Sequence, residues 1–460
     1  MDNRLSRLRA LLTPLALFLS MLPAARAAAQ MESALAITNV SVIPMDREHV
    51  LPGQTVLIRG GRIVAVGSAR AVAIPSSAMK IDGTGRFLIP GLVDAHVHYD
   101  EDAAGSDSHI DAINAEYSRL FLAAGVTEVM NLCGSSKNLA LRDSIARGEV
   151  DGPTMLTSPH CLNDSTMTEA QGETATAQAK RDGYDFLKVY SFLSADGFRG
   201  IMTAAKRADM PVIGHIPQRV GTQTMLESGA VGIVHAEEFL YNAPFRLQYG
   251  DPRPGAVQLD TARIPALAHA VRSARVAVTP TLVAYSSIID EAVSLNKVLA
   301  EPELRLVSNQ VKKSRGWYAA DNDRARRLGA AMPLSRLRLG LAMQKHLVRT
   351  FRDSGVTLLA GTDAGGSIPM TPGWSLHDEL QLLVGAGLTP YEALRAATAN
   401  AGEFFARYFH AGASGTITPG ARADLVLLNA NPLVDIRNTR KIEGVVLRGE
   451  WMAREQAGTH

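Results

Sequence analysis

Gly91-Leu92-Val93-Asp94-Ala95-His96-Val97-His98-Tyr99-Asp100 closes an apolar run with two histidines two residues apart. In a strand, residues i and i+2 point to the same face. His96 and His98 therefore offer two imidazoles to one point, which suits a metal ion that prefers nitrogen ligands. Alone the pair says little, since half-buried strand histidines look the same. Its weight comes from other runs along the chain that end in similar residues.

Those runs are 92–96, 125–132, 154–158, 185–190, 211–215, 232–235, 276–281 and 356–363. Amphipathic stretches such as 196–208 and 389–399 separate them. Eight strand-and-helix repeats predict an α/β fold, a (β/α)8 TIM barrel over 90–414, with its longest connection at 283–354. In such a barrel the active site lies at the C-terminal ends of the strands.

The flanks read differently. Ala36-Ile37-Thr38-Asn39-Val40-Ser41-Val42-Ile43 alternates, and Thr55-Val56-Leu57-Ile58 and Arg62-Ile63-Val64-Ala65-Val66-Gly67 flank a Gly60-Gly61 turn. At the other end, 423–428 and 444–450 are again short strands. Neither end carries enough apolar surface for its own core. The economical solution is one small β-sandwich built from 30–89 and 415–460.

Four further residues complete a constellation. Lys188 lies inside the apolar run Asp185-Phe186-Leu187-Lys188-Val189-Tyr190, where an ammonium is costly without a partner. A carboxylate partner would settle it. Alternatively, a lysine with a lowered pKa reacts with CO₂, and the carbamate is an anionic ligand able to bridge two metals. His215 ends Pro211-Val212-Ile213-Gly214-His215, and His235 ends Gly232-Ile233-Val234-His235. Asp363 ends Val356-Thr357-Leu358-Leu359-Ala360-Gly361-Thr362-Asp363. It reads either as a turn aspartate or as a carboxylate touching both metal and water.

In chain order the set is His-x-His, Lys, His, His, Asp, and it resembles the amidohydrolase superfamily. Ile89 to His98 looks like that family's opening motif. Gly415-Thr416-Ile417-Thr418-Pro419-Gly420-Ala421-Arg422-Ala423-Asp424-Leu425-Val426-Leu427-Leu428 looks like its return into the small β-domain. The flavour is that of the exported imidazolonepropionase-like and prolidase-like branch, though Pro217 after His215 is not its commonest context. The resemblance implies two divalent metal ions, with zinc the expected one. His96, His98 and Asp363 would hold the first, and His215 and His235 the second. Lys188, as N6-carboxylysine, would bridge them. It also implies a hydroxide between the metals as nucleophile, and Asp363 as proton shuttle to the departing nitrogen. The expected reaction is hydrolysis of an amide in a dipeptide or N-acyl amino acid. Cyclic amides, lactones and phosphoesters are the alternative for the same metal pair. A barrel that only binds metal is the remaining reading.

Around this set, Tyr190 shares the face of Lys188 and is a candidate to bind a substrate carbonyl. Tyr99 is another such candidate, with packing as its competing role. His160, after the third run, is expected near the mouth as a carboxylate ligand or as a plain loop residue. Glu237 and Glu238 either orient ligand histidines or form a solvated pair.

The 460 residues carry a formal net charge of +2, with 46% hydrophobic and 20% charged residues. No basic stripe interleaved with aromatics appears, so nucleic acid is not an expected partner and a small-molecule substrate is. The arginine-rich stretch 315–338 reads as a solvated helical face. Residues 1–29 read as a signal peptide. Arg4, Arg7 and Arg9 precede a short apolar core broken by Pro14, with small-x-small sites at Ala25-Arg26-Ala27 and Ala27-Ala28-Ala29. The mature chain is then expected in the periplasm or secreted, with no membrane span. The two cysteines, Cys133 and Cys161, either pair or stay as buried thiols. Oligomeric state is left open.

Overall fold

The computed structural model describes residues 34–100, 107–242, 261–318 and 333–453. The signal-peptide reading and most of the arginine-rich stretch lie outside them. Both flanks of the chain meet in one mixed sheet of eight strands. Its strands are β1 (Ala34–Val42), β2 (Leu51–Arg59), β3 (Arg62–Ser68), β4 (Met79–Asp82), β5 (Phe87–Pro90), β13 (Leu425–Leu428), β14 (Ile442–Leu447) and β15 (Glu450–Ala453). The order is β15-β14-β13-β5-β1-β2-β3, with β4 also on β1. The Gly60-Gly61 turn joins β2 to β3, both glycines at positive φ as the tight hairpin requires.

The expected sandwich of two sheets takes the form of one continuous sheet. β5 explains this: it pairs with β1 on one side and antiparallel with β13 on the other, Ile89 opposite Val426. Alternation gives the sheet two faces. Leu35, Ile37, Val56, Ile58, Leu88, Leu425, Leu427 and Val446 form its own core. Ile89, Val426 and Leu428 point the other way and pack into the core of the central domain.

The central part is α/β and TIM-barrel-like. Two parallel sheets provide seven of its strands. β6 (Leu92–Val97), β7 (Val126–Asn131) and β8 (Thr154–Thr157) form one. β9 (Leu187–Val189), β10 (Val212–Gly214), β11 (Gly232–Val234) and β12 (Ala277–Thr279) form the other. All residues of β6, β7 and β9 to β12 are buried, as both faces of a covered parallel sheet must be. Helices alternate with them. In Ala195–Ala208, Ser194 caps the N-terminus by accepting from Gly197 N–H, while Phe198, Ile201, Ala204 and Ala205 form the buried stripe.

The eighth run departs from expectation. Residues 356–364 form no regular strand but are held by single bridges, Leu358 to Val278 and Ala364 to Val97. Leu162 and Val189 make a similar bridge between the two sheets, so the ladder does not close continuously. The sequence shows why. Gly355 and Gly365 take positive φ, as does Asp363, and backbone in that region cannot hold a ladder.

An ionic cluster fastens sheet to barrel: Arg422 binds buried Glu128 of β7 at 2.8 Å and also pairs with Asp424. Among the described residues no helix is long and apolar enough to cross a membrane.

Candidate metal centre

The strands deliver their terminal side chains to one point. His96 is fully buried on β6, and its Nε2 lies 3.3 Å from Nε2 of His98. The Oδ1 of Asp363 is 3.2 Å from His96 Nε2 and 2.8 Å from His98 Nε2. His235 follows β11, with its ring centroid 4.7 Å from those of both His96 and His215. His96, His235 and Asp363 each place one donor atom within 4.8 Å of the others. The four imidazoles thus form a continuous arc, with Lys188 of β9 fully buried beside it.

Backbone geometry aims these groups at a conformational cost. His235 and Asp363 have φ of 67° and 66°. A non-glycine residue in this left-handed region costs about 1–2 kcal/mol, and such strain gathers at functional sites. Gly365 makes the approach of the Asp363 turn to β6 possible, since a Cβ there would stand 1.9 Å from the His98 carbonyl oxygen.

Neighbouring hydrogen bonds set the tautomers. Thr281 Oγ1 donates to the Pro280 carbonyl and so accepts from His235 Nδ1 at 2.7 Å. Glu238 Oε1 accepts from His215 Nδ1 at 2.6 Å, with Ser191 Oγ also 2.9 Å from that nitrogen. In both rings the Nε2 lone pair is left for another partner. Asp94, one turn of the pleat before His96, accepts from the Thr362 hydroxyl at 2.7 Å and the Thr362 N–H at 3.0 Å, which ties β6 to the Asp363 segment.

Electrostatics agree with a cation-binding site. Burial, helped by the Lys188 charge, holds the pKa of His96 and His215 well below the usual imidazole value. Burial and then His215 do the same for His235. All three rings are neutral, the form that binds metals. Burial also lowers Lys188 to about 7. Burial would raise Asp363, but the adjacent His96 and hydrogen bonds from His96 and His98 hold it well below the usual carboxylate range.

The decisive observation is what these groups lack. Lys188 Nζ, His215 Nε2 and His96 Nδ1 are buried with no hydrogen-bond partner among the described residues. A fully buried amine and imidazole left without partners are costly, and native interiors rarely keep them. His96, His235 and Asp363 together fit a divalent metal ion, and a bound cation with its further ligands would give the orphaned atoms beside it partners.

A pocket of about 390 Å³ opens above, lined by His98, Asp363, Tyr190, Asn163, Arg315 and the disulfide, among others. The Tyr190 ring lies 3.9 Å from that of His215. Cys133 and Cys161 are bonded, joining the loops after β7 and β8 at the pocket wall. A larger cavity of about 510 Å³, between Leu282–Leu299 and Trp374–Ala386, contains none of these groups.

Tyr99 is among the pocket-lining residues, but its side chain takes the packing alternative: it is buried, stacks on Phe121 and sits 3.3 Å from Ser118 Oγ. Two expectations need correction. His160 is exposed and does not line the pocket. Arg315 is no solvated residue but part of the pocket wall, with its side chain 16% exposed. Of the glutamate pair, Glu238 is buried on His215 while Glu237 is only partly covered. Sequence reasoning missed Ser191, Thr281 and Asp94. The signal available was a polar residue within or just beyond each apolar run.

Fold and site together define a TIM-barrel-like enzyme whose candidate metal ligands gather at the strand ends. The chain belongs to the amidohydrolase family, whose model matches residues 87–452. It is 25% identical over 201 residues to adenine deaminase 2 of Desulfotalea psychrophila, covering 42% of this chain and 33% of that protein. It thus spans about a third of the length of that curated relative. Among solved structures, a putative prolidase from Bifidobacterium longum superposes with a TM-score of 0.66 at 23% identity, covering 92% of this chain and 95% of that one. A Xaa-Pro dipeptidase with bound methionine in its active site gives 0.69 at 16% identity, covering 91% and 100%. At these identities the likeness establishes the fold.

Proposed function

We propose that this protein is a binuclear metal hydrolase that cleaves an amide bond in a dipeptide or an N-acyl amino acid. The observation that carries this reading is the Nζ of Lys188, buried without a hydrogen-bond partner among the described residues beside the arc of imidazoles. A neutral amine there adds to CO₂, forming an N–C bond and releasing one proton. The N6-carboxylysine would then offer two oxygens that share one negative charge. His96, His98 and Asp363 would hold one ion and His215 and His235 the other, with zinc the proposed metal for such nitrogen and oxygen donors.

Bound there, two divalent ions supply a lowered pKa for water and polarisation of the scissile carbonyl. The residues do the rest. Asp363 starts ionised, held so by His96 and His98, and accepts the proton of the attacking water. It delivers that proton to the departing nitrogen. Tyr190, beside His215 in the pocket, donates to the carbonyl oxygen as charge develops on it. Glu238 and Thr281 keep His215 and His235 in the tautomer that presents Nε2. The prolidase-like solved structures favour an amide substrate.

Export completes the proposal: the disulfide at the pocket wall suits an oxidising compartment. N-terminal sequencing of the mature protein in a periplasmic or culture-medium fraction checks it. The activity is tested with metal-replete protein against Xaa-Pro dipeptides, N-acyl amino acids, lactones, phosphotriesters and adenine. Amide turnover is expected to dominate. Lactone, phosphoester or adenine turnover without amide cleavage overturns the amide reading.

A further inference from the structure

Thr281 stands where a helix normally finds its capping side chain. It immediately precedes the helix Leu282–Leu299, and threonine is among the residues that cap such an end by accepting a first-turn N–H. Here its side chain makes no such bond. The hydroxyl is already engaged, donating to the Pro280 carbonyl at 2.8 Å and accepting from His235 Nδ1 at 2.7 Å. The backbone is turned to suit, with φ of 49° and ψ of 43° at Thr281. A β-branched residue in that left-handed conformation is strained, and persists only where its surroundings hold it.

The bond that Thr281 does not make comes from another helix. Glu379, on Trp374–Ala386, is fully buried, and its Oε2 accepts the Val283 N–H at 2.7 Å. The Leu282 N–H acts on the same carboxyl. A helix cannot satisfy these first-turn N–H groups internally. Leu282 and Val283 are 0% and 5% exposed, so water is no substitute. With the carboxyl absent, the side chain placed to replace it is the Thr281 hydroxyl at the cap position, which could serve the helix only by leaving His235.

We propose that Glu379 is a positioning residue for His235: it caps the helix from outside and so frees the Thr281 hydroxyl to fix the ring with Nε2 turned to the metal centre. The consequence for metal affinity rests on the metal-hydrolase reading above; the hold on the ring does not. Burial raises the pKa of Glu379 to about 8, so the carboxyl is mostly protonated at neutral pH. Its Oε1 has no partner among the described residues, which leaves that oxygen as the place for the proton. Glu379→Gln therefore copies the native group closely. Glu379→Leu removes the acceptor at similar volume, and Thr281→Val removes the hydroxyl but keeps the shape.

The test has a metal-free and a metal-loaded arm. In metal-free protein carrying isotope-labelled histidine, NMR follows exchange of the His235 Nδ1 proton with water. His215, whose Nδ1 is held by Glu238, is the internal reference. Glu379→Leu should speed the His235 exchange about 5- to 10-fold, the equivalent of one lost cap, and leave His215 unchanged. Glu379→Gln should match wild type. In the loaded arm, chelator competition reads zinc affinity. Glu379→Leu and Thr281→Val should each weaken it about 10- to 100-fold, and the double variant no further than Thr281→Val alone, because both act through one bond. Unchanged His235 exchange in Glu379→Leu, equal acceleration at both rings, or additive losses of zinc affinity overturns the proposal. Should Glu379→Leu not fold, Glu379→Ala, which admits water to the two N–H groups, replaces it in both arms. Protein that binds no zinc yet shows the selective exchange effect refutes the metal reading and upholds the role of Glu379.

Discussion

Glu238 accepts the Nδ1–H of His215 at 2.6 Å, which leaves the buried Nε2 as the ring's lone-pair nitrogen. The same carboxylate accepts the Ile216 N–H at 3.1 Å, so it cannot rotate away from the ring. Replacing it with Gln puts an amide where two N–H groups already point. Glu238→Gln should weaken metal binding about 10- to 100-fold, the usual cost of losing such a support. Competition with a chelator, followed by metal analysis, reads this directly.

Asp363→Asn keeps the shape of the side chain but removes its basicity. The four imidazoles remain, so most of the metal should stay bound. Turnover should fall by about 10²- to 10⁴-fold, the range for losing a general acid–base. Full activity in a metal-loaded Asp363→Asn protein would remove Asp363 from the proton path.

Lys188→Met exchanges a buried amine for an apolar chain of similar length. In metal-free protein this should raise stability by about 1–3 kcal/mol, since an unpartnered polar group is removed. In metal-loaded protein the same change should abolish turnover. Thermal melts with and without chelator distinguish the two effects.

The stabilising effect should depend on pH in a defined direction. In the unfolded chain Lys188 keeps its proton up to its ordinary pKa of 10.5, whereas burial lowers the folded value to about 7. Unfolding therefore takes up a proton between pH 7 and 10.5, and wild type gains stability as pH rises through that window. The advantage of Lys188→Met should be full below pH 7 and shrink toward pH 10.5. An advantage that grew with pH would contradict the burial of Nζ.

The Cys133–Cys161 bond closes a loop with a sequence separation of 28 residues. Its removal in a double Ser variant should cost about 2–4 kcal/mol in chemical denaturation. Because both sulfurs line the pocket, KM should rise as well.

Much of the site was legible because apolar runs in a barrel end where the chemistry must be. His96, His98, Lys188, His215, His235 and Asp363 all stand within or directly after such runs, and alternation placed the first two together. The pairing of both flanks followed from their shared lack of apolar surface. What could not be read depends on long-range contacts. Arg315 reaches the pocket through the docking of Trp317 on Gly366, which no local pattern encodes. The irregular eighth run follows from backbone at Asp363 that a strand pattern does not reveal. Tyr99 takes the packing role that the sequence offered beside substrate binding, fixed by Phe121 and Ser118 of the following helix. His160 lies beyond the strand end, where strand alternation no longer applies.

The pairing of Ile89 with Val426 bears on how the polypeptide acquires its shape. The strand that leads into the barrel finds one neighbour only after nearly the whole chain has been synthesised. An amino-terminal fragment emerging from the ribosome has an unzipped seam and an uncovered apolar surface on its first strands. Such delayed closure makes for high contact order and slow assembly. Truncating the last three strands should therefore cost more than their few residues suggest, leaving a product that aggregates rather than a trimmed enzyme.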